Sequence, residues 1–452
     1  MEFVLLTVFL VALFLVALVR PYWGVLLVLF LLPSYEWRFE MLGLPTTFLE
    51  CSILLVVLAW LLRTHWNRYA GVGGVSERLR RLGGQLLGTH LLWPSVLFVL
   101  ASVLAVVVAP DVIRALGLWR AFVLEPLLLM LVLLDVVERK DQWMGVVWSL
   151  GLAALAVSLG AVLQVATGIG LLEGYDGMGG SVLRATSFFT YPAAVGLFLT
   201  PIALLFLGLL LAPRESLIST PYRASAWFIV LFSVLGVVLA QTDGAIVGIA
   251  LGTTVLAFWR WGWWKPLVAV GFVGLVLVAV PTFRERAIPA VTFQDTSGQV
   301  RLALWEGSLY LLADRPVLGS GLGGFTQLYG DYKLAQHTES TINYPHSLLL
   351  NFWAELTVFG AISVLWLLVA FTRLVQTNLP PSSLSGRSLQ DHVSQNVKRD
   401  SRLGVLAIVL LGVVVYGIVD VPFFKNDLAV LWWIPFVLAV LATTNSDSLK
   451  EM

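Results

Sequence analysis

At 452 residues the chain could make two or three soluble domains, but 59% hydrophobic and 12% charged residues, with a mean hydropathy of +0.89, leave too little polar surface to cover them. A formal net charge of +1 gives no case for nucleic-acid binding, and a single cysteine, Cys51, excludes an intrachain disulfide. The composition is that of an integral membrane protein, in which about thirteen helices of roughly 20 residues would use about 260 residues.

Apolar runs bounded by charge or by Pro and Gly predict spans near 3–19, 22–33, 46–62, 92–109, 115–134, 143–165, 192–211, 226–241, 244–259, 266–282, 347–371, 404–420 and 427–443. The expected fold is an all-α polytopic bundle of about 12–13 transmembrane helices. The first run resembles a signal-peptide core, yet Met1-Glu2 lacks a basic leader and Arg20-Pro21-Tyr22 is no small-residue cleavage site, so a retained helix is expected. The second run is short, and the side holding the N-terminus depends on whether it crosses.

Lys and Arg near helix ends resist translocation, so the basic loops should share the cytoplasmic side. Alternating the spans puts 18 of the 28 Lys and Arg residues there, including Arg63, Arg78, Arg81, Arg139 and Arg402. Five of the other ten fall in one long loop, where the rule is weak. The C-terminus is then cytoplasmic. The chain divides into N-terminal spans over 1–282, a large external loop over 283–346 with short helices, C-terminal spans over 347–443 and a tail over 444–452. Residues 166–191 read as a Gly-rich external loop with Glu173, Asp176 and Arg184, and 374–402, with Pro380-Pro381-Ser382-Ser383, as a flexible cytoplasmic linker.

His346 follows Asn343-Tyr344-Pro345 and directly precedes an apolar helix, which puts its imidazole near the external membrane surface. A general base belongs at that depth if a lipid-linked substrate must meet a polar one; the plainer account is an interfacial histidine anchoring a helix end. Arg301 and Trp305 lie four apart in a helical stretch and share a face, with Trp305 free to stack on the guanidinium or on a sugar, or simply to rest on the membrane. Arg184 precedes a helix on the same side, and two converging arginines could hold a diphosphate.

Gly319-Ser320-Gly321-Leu322-Gly323-Gly324 fits a dinucleotide fingerprint only in spelling, because no strand precedes it; a turn after a helix ending at Asp314 explains it better. No metal-ligand spacing and no nucleophilic serine elbow are present. Glu50, Arg120, Glu125 and Glu355 fall inside spans, where charge is costly, and Arg120 and Glu125 are candidates to pair with other helices. Glu355 lies roughly 13 Å along a helix from His346, too far to touch it. Asp243, Asp420 and Lys425 sit at external turns and read as solvated loop charges.

The run from Arg301 and Trp305 through Asp314-Arg315-Pro316 and the glycine turn, followed by His346, Glu355 and Gly360, resembles the core of the O-antigen ligase and O-antigen polymerase family. Arg184 before Tyr191-Pro192 and the late segment Asp420-Val421-Pro422-Phe423-Phe424-Lys425 extend the resemblance over roughly 184–427. This chain has Ser347 where the family commonly has Asn, Thr357 where it has Gly, and Gln241-Thr242-Asp243-Gly244 where an arginine often stands. The resemblance implies a metal-independent, cofactor-free glycosyltransferase in the bacterial inner membrane. Such an enzyme moves a glycan from undecaprenyl diphosphate to a hydroxyl of lipid A-core, a growing glycan or a protein on the external face. His346 and Arg301 would be catalytic, Arg184 and Arg301 would hold the diphosphate, and Trp305, Glu355, Asp420, Lys425 and Asp243 would assist. A secondary transporter or lipid-linked-sugar flippase is the rival class, for which polar groups near the bilayer midplane would be expected instead.

Overall fold

A computed structural model of the chain describes residues 2–41, 43–69, 74–178, 182–212, 217–268, 270–271, 285, 289, 292–335, 337, 344–378 and 400–447. It is an all-α helical bundle, with one small antiparallel hairpin, β1 (Arg38–Met41) and β2 (Leu44–Thr47), among the described residues. Eight helices, or nine if one bent pair is a single span, are long and apolar enough to cross a bilayer.

Those eight match the expected spans at 46–62, 115–134, 143–165, 192–211, 226–241, 244–259, 347–371 and 427–443. In chain order they are α3 (Phe48–Tyr69), α6 with α7 (Val112–Trp119 and Glu125–Val136, joined by a π turn), α8 (Lys140–Thr167), α9 (Pro192–Leu211), α10 (Arg223–Ala240), α11 (Asp243–Trp261), α14 (Leu348–Asn378) and α16 (Asn426–Asp447). The run at 92–109 is α5 (Leu92–Val107), bent by 109° from the amphipathic α4 (Val75–Gly88). Three runs give shorter apolar helices, α1 (Glu2–Val19), α2 (Pro21–Phe30) and α15 (Ser401–Tyr416). Most of the run at 266–282 and most of the 374–402 linker lie outside the described residues. The long loop contributes α12 (Thr296–Asp314) and the single turn α13 (Phe325–Leu328).

The first helices run up, back and up again. Phe9 packs on Phe48 at 5.5 Å, while Arg63 at the far end of α3 donates to the carbonyls of Leu18 and Val19, so α1 and α3 are parallel. The ten residues of α2 and the 3-10 turn Leu32–Glu36 therefore return the chain across the bundle. The N-terminal end of α1 lies toward the β-hairpin.

The central staves are α9 and α16, each with 89% of its window buried, against 22% for α11 at the rim. Close approach around α9 relies on residues without side-chain bulk: a Cβ at Gly412 would lie 2.2 Å from Leu204, and one at Gly248 3.0 Å from the Gly412 carbonyl. A second small core forms where α12, α13 and α14 meet, around Leu304, Leu311, Phe325 and Tyr329.

One spanning helix is broken. In α14 the backbone leaves helical geometry at Leu356 and Thr357, so the ordinary bond between the Ala354 carbonyl and the Val358 N–H is lost. The segment after α12 replaces it. The Ser320 N–H and hydroxyl donate to the Ala354 carbonyl at 2.8 and 2.9 Å, and the Val358 N–H donates to Val317 at 3.0 Å. Within hydrocarbon such groups must find protein partners. Thr357 has φ +67° and ψ 172°, a conformation suited to glycine, which is the residue that the resembled family commonly has there.

Candidate functional site

At the end of the bundle that bears the β-hairpin, the loop before α14 and the turn between α15 and α16 are sewn together. The Leu348 N–H donates to the Gly417 carbonyl at 2.7 Å, and a Cβ at Gly417 would meet that of Leu348 at 2.9 Å. His346 is thereby held over the turn. Its φ is +49°, an uncommon conformation for a residue with a side chain, and its carbonyl accepts the Trp305 indole N–H at 3.3 Å. Its Nδ1 lies 3.5 Å from Asp420 Oδ1, and its ring packs on Tyr344 at 4.6 Å. The imidazole side chain is 34% exposed, against 6% for that of Asp420, so the ring reaches outward while the carboxylate stays beneath it.

Asp420 and Lys425 are thus not the solvated loop charges expected from sequence. Val421 and Phe423 are buried in the core and draw the turn inward, carrying the charged residues with them. The Lys425 ammonium sits 3.7 Å from the Tyr191 ring centroid and donates to the Tyr35 hydroxyl at 3.1 Å. Burial pulls this ammonium below the usual lysine range and pushes the Tyr35 and Tyr191 phenols above the usual tyrosine range.

Arg184, Arg301 and Asp420 all lie near enough to Tyr416 for their charges to act on it, and the Tyr416 hydroxyl donates to the Ala193 carbonyl at 3.2 Å. Arg184 also acts locally, donating to the Ala240 and Gln241 carbonyls at 3.1 and 3.0 Å and so closing the C-terminal end of α10. Arg301 is half-buried and makes no hydrogen bond or ion pair among the described residues. A guanidinium so placed is available to an anion.

The remaining candidates separate. Trp305 packs on Phe293 at 5.5 Å and serves through its N–H as a prop for His346. Glu355 is buried, away from His346, and accepts from the N–H groups of Gly323 and Phe325 (3.2 Å for the latter), so it anchors the glycine turn. Asp243 is exposed at the start of α11, where its neighbour Gly244 abuts the Tyr416 ring. Arg120 does pair with another helix, reaching Glu50 of α3, whereas Glu125 pairs at 3.2 Å with Arg120 across the π turn of its own span. Asn426 closes this buried cluster by donating to Glu50 at 2.9 Å.

Tyr35, Tyr344 and Tyr416 escaped the sequence reading as site residues. Tyr344 stood next to His346 in the motif and could have been picked for that. Tyr35 and Tyr416 carry no local signal, since they arrive from a turn after α2 and from the last turn of α15.

The fold and this site define a multi-pass helical membrane protein whose candidate polar chemistry gathers at one end of the bundle. A family model described as O-antigen ligase matches residues 228–365, a segment containing Arg301, Trp305, His346 and Glu355. The match supports the O-antigen ligase and polymerase family, and with it a membrane glycosyltransferase of ligase or polymerase type. No curated protein matches the chain.

Proposed function

We propose that the chain transfers a glycan from undecaprenyl diphosphate to an acceptor hydroxyl on the external face of the bacterial inner membrane. The observation that carries this reading is His346 backed by buried Asp420, with Arg301 left unpaired among the described residues at the same end of the bundle. Asp420 beside Nδ1 leaves Nε2 for the acceptor. The acceptor oxygen attacks the anomeric carbon as its proton passes to His346 Nε2, and the bond from that carbon to the diphosphate oxygen breaks with its electron pair leaving on the diphosphate. Attack opposite the leaving group inverts the configuration. Arg301 and Arg184 stabilise the charge that grows on the diphosphate, and Lys425 adds a third cation nearby. The scheme assigns no step to a metal. The acceptor is lipid A-core, a growing glycan or a protein.

The test is transfer in proteoliposomes loaded with a lipid-linked oligosaccharide, with products sorted by acceptor. Labelled acceptor from wild type, and none from folded His346→Ala protein, is the expected result. Wild-type protein that moves the lipid-linked sugar between leaflets without transferring it would sink the proposal and favour a flippase.

A further inference from the structure

At the end of the bundle opposite His346, a cavity of about 410 Å³ opens between α2, α3 and α8, lined among others by Arg20, Arg63, Arg78 and Arg139 with Trp23 and Trp60. Of its three acids, Asp135 and Asp141 are paired with arginines, while Glu138 is exposed and makes no ion pair among the described residues. Asp135 is fully buried and takes hydrogen bonds from Arg78, Arg81 and, at 2.8 Å, the Trp60 indole. Asp141 is held by Arg139 through two bonds of 2.9 and 2.6 Å. Two cations, Arg20 and Arg63, are left over against the Glu138 carboxylate. Arg63 donates only to the carbonyls that end α1, so its charge has no counter-charge among the described residues, and Arg20 makes no hydrogen bond or ion pair there through its side chain.

Beside it runs a second cavity of about 1120 Å³ between α8 and α10, walled by Trp148, Leu152, Leu155, Phe228 and Ile229. Asp141 lines both cavities, so a cationic pocket and an apolar groove meet over the first turn of α8. Phosphate would satisfy the first, and only a ligand that also carries a hydrocarbon chain satisfies both. Trp23, exposed at the pocket, suits the headgroup level of a bilayer.

We propose that these two cavities form a binding site for an anionic glycerophospholipid, with its phosphate between Arg20 and Arg63 and one acyl chain in the groove between α8 and α10. The site is separate from the candidate glycosyl-transfer site and does not depend on that reading.

The test offers delipidated full-length protein equal amounts of phosphatidylglycerol and phosphatidylcholine in neutral detergent and reads retained lipid by native mass spectrometry, with inorganic phosphate as a competitor. Phosphatidylglycerol should be preferred, and Arg20→Gln should weaken its retention about fivefold, as one basic side chain at an anionic surface is worth ~1 kcal/mol. Leu152→Trp, which fills the groove, should lower retention of both lipids. Equal retention of the two lipids by wild type, or no effect of Arg20→Gln, overturns the proposal. Displacement of phosphatidylglycerol by inorganic phosphate at matched concentration would mark a site for free phosphate and overturn the lipid assignment.

Discussion

Asp135 and Asp420 are both buried carboxylates near an end of the bundle, yet their surroundings differ. Asp135 takes three side-chain hydrogen bonds, two from arginines and one from an indole, and nothing about it is left to be satisfied by a ligand. Asp420 has its own chain's Val421 N–H at 2.8 Å and a partly exposed histidine at 3.5 Å, while Arg301 stands unpaired among the described residues at the same end. Saturated charge holds helices together, whereas unsaturated charge at a surface is kept at a cost that a substrate can offset. The difference is a practical way to sort ionisable residues in a membrane bundle.

The comparison is sharpest where function and stability should part. His346→Ala is expected to cut glycan transfer about 10³-fold, the range for loss of a general base, with thermal unfolding in detergent unchanged. Arg301→Ala should follow at about 10²-fold, and a substrate analogue lacking the diphosphate should be indifferent to it. Asp135→Asn should do the reverse. It leaves two arginines facing a neutral amide and should lower stability by ~2 kcal/mol, below the usual range for a broken buried pair because Arg81 is half-exposed, with residual transfer per folded molecule intact. Transfer loss in Asp135→Asn at undiminished stability would erase the distinction. The smallest effect is expected at Thr357→Gly, which should raise stability by ~1 kcal/mol by relieving a threonine held at positive φ.

Hydrophobic length alone located the spanning helices well, because a bilayer demands about 20 apolar residues and few competing structures satisfy that demand. The glycine turn was equally legible: α12 ends at Asp314, and Gly319, Gly321 and Gly323 all take positive φ. Proximity across the chain was not. Arg184 and Arg301 lie far apart in sequence, and their charges act on the same Tyr416 only because the loop before α9 and the helix α12 are both brought near the end of α15, while Tyr35 reaches Lys425 from near the N-terminus. The burial of Asp420 was hidden for another reason. A turn carrying Asp and Lys reads as solvated unless the apolar Val421 and Phe423 between them are allowed to decide which way it folds.

The break in α14 ties the making of the protein to its shape. Residues 316–320 occupy the place of a missing helical turn, about 13 Å in from the start of the helix. They precede α14 in the chain, so during synthesis the patch exists before the gap it fills. A protease cut between Asp314 and Phe325 would therefore do more than open a loop: it would loosen the clasp over two backbone groups inside the bundle, and the helix carrying His346 at its mouth would lose its fixed bend.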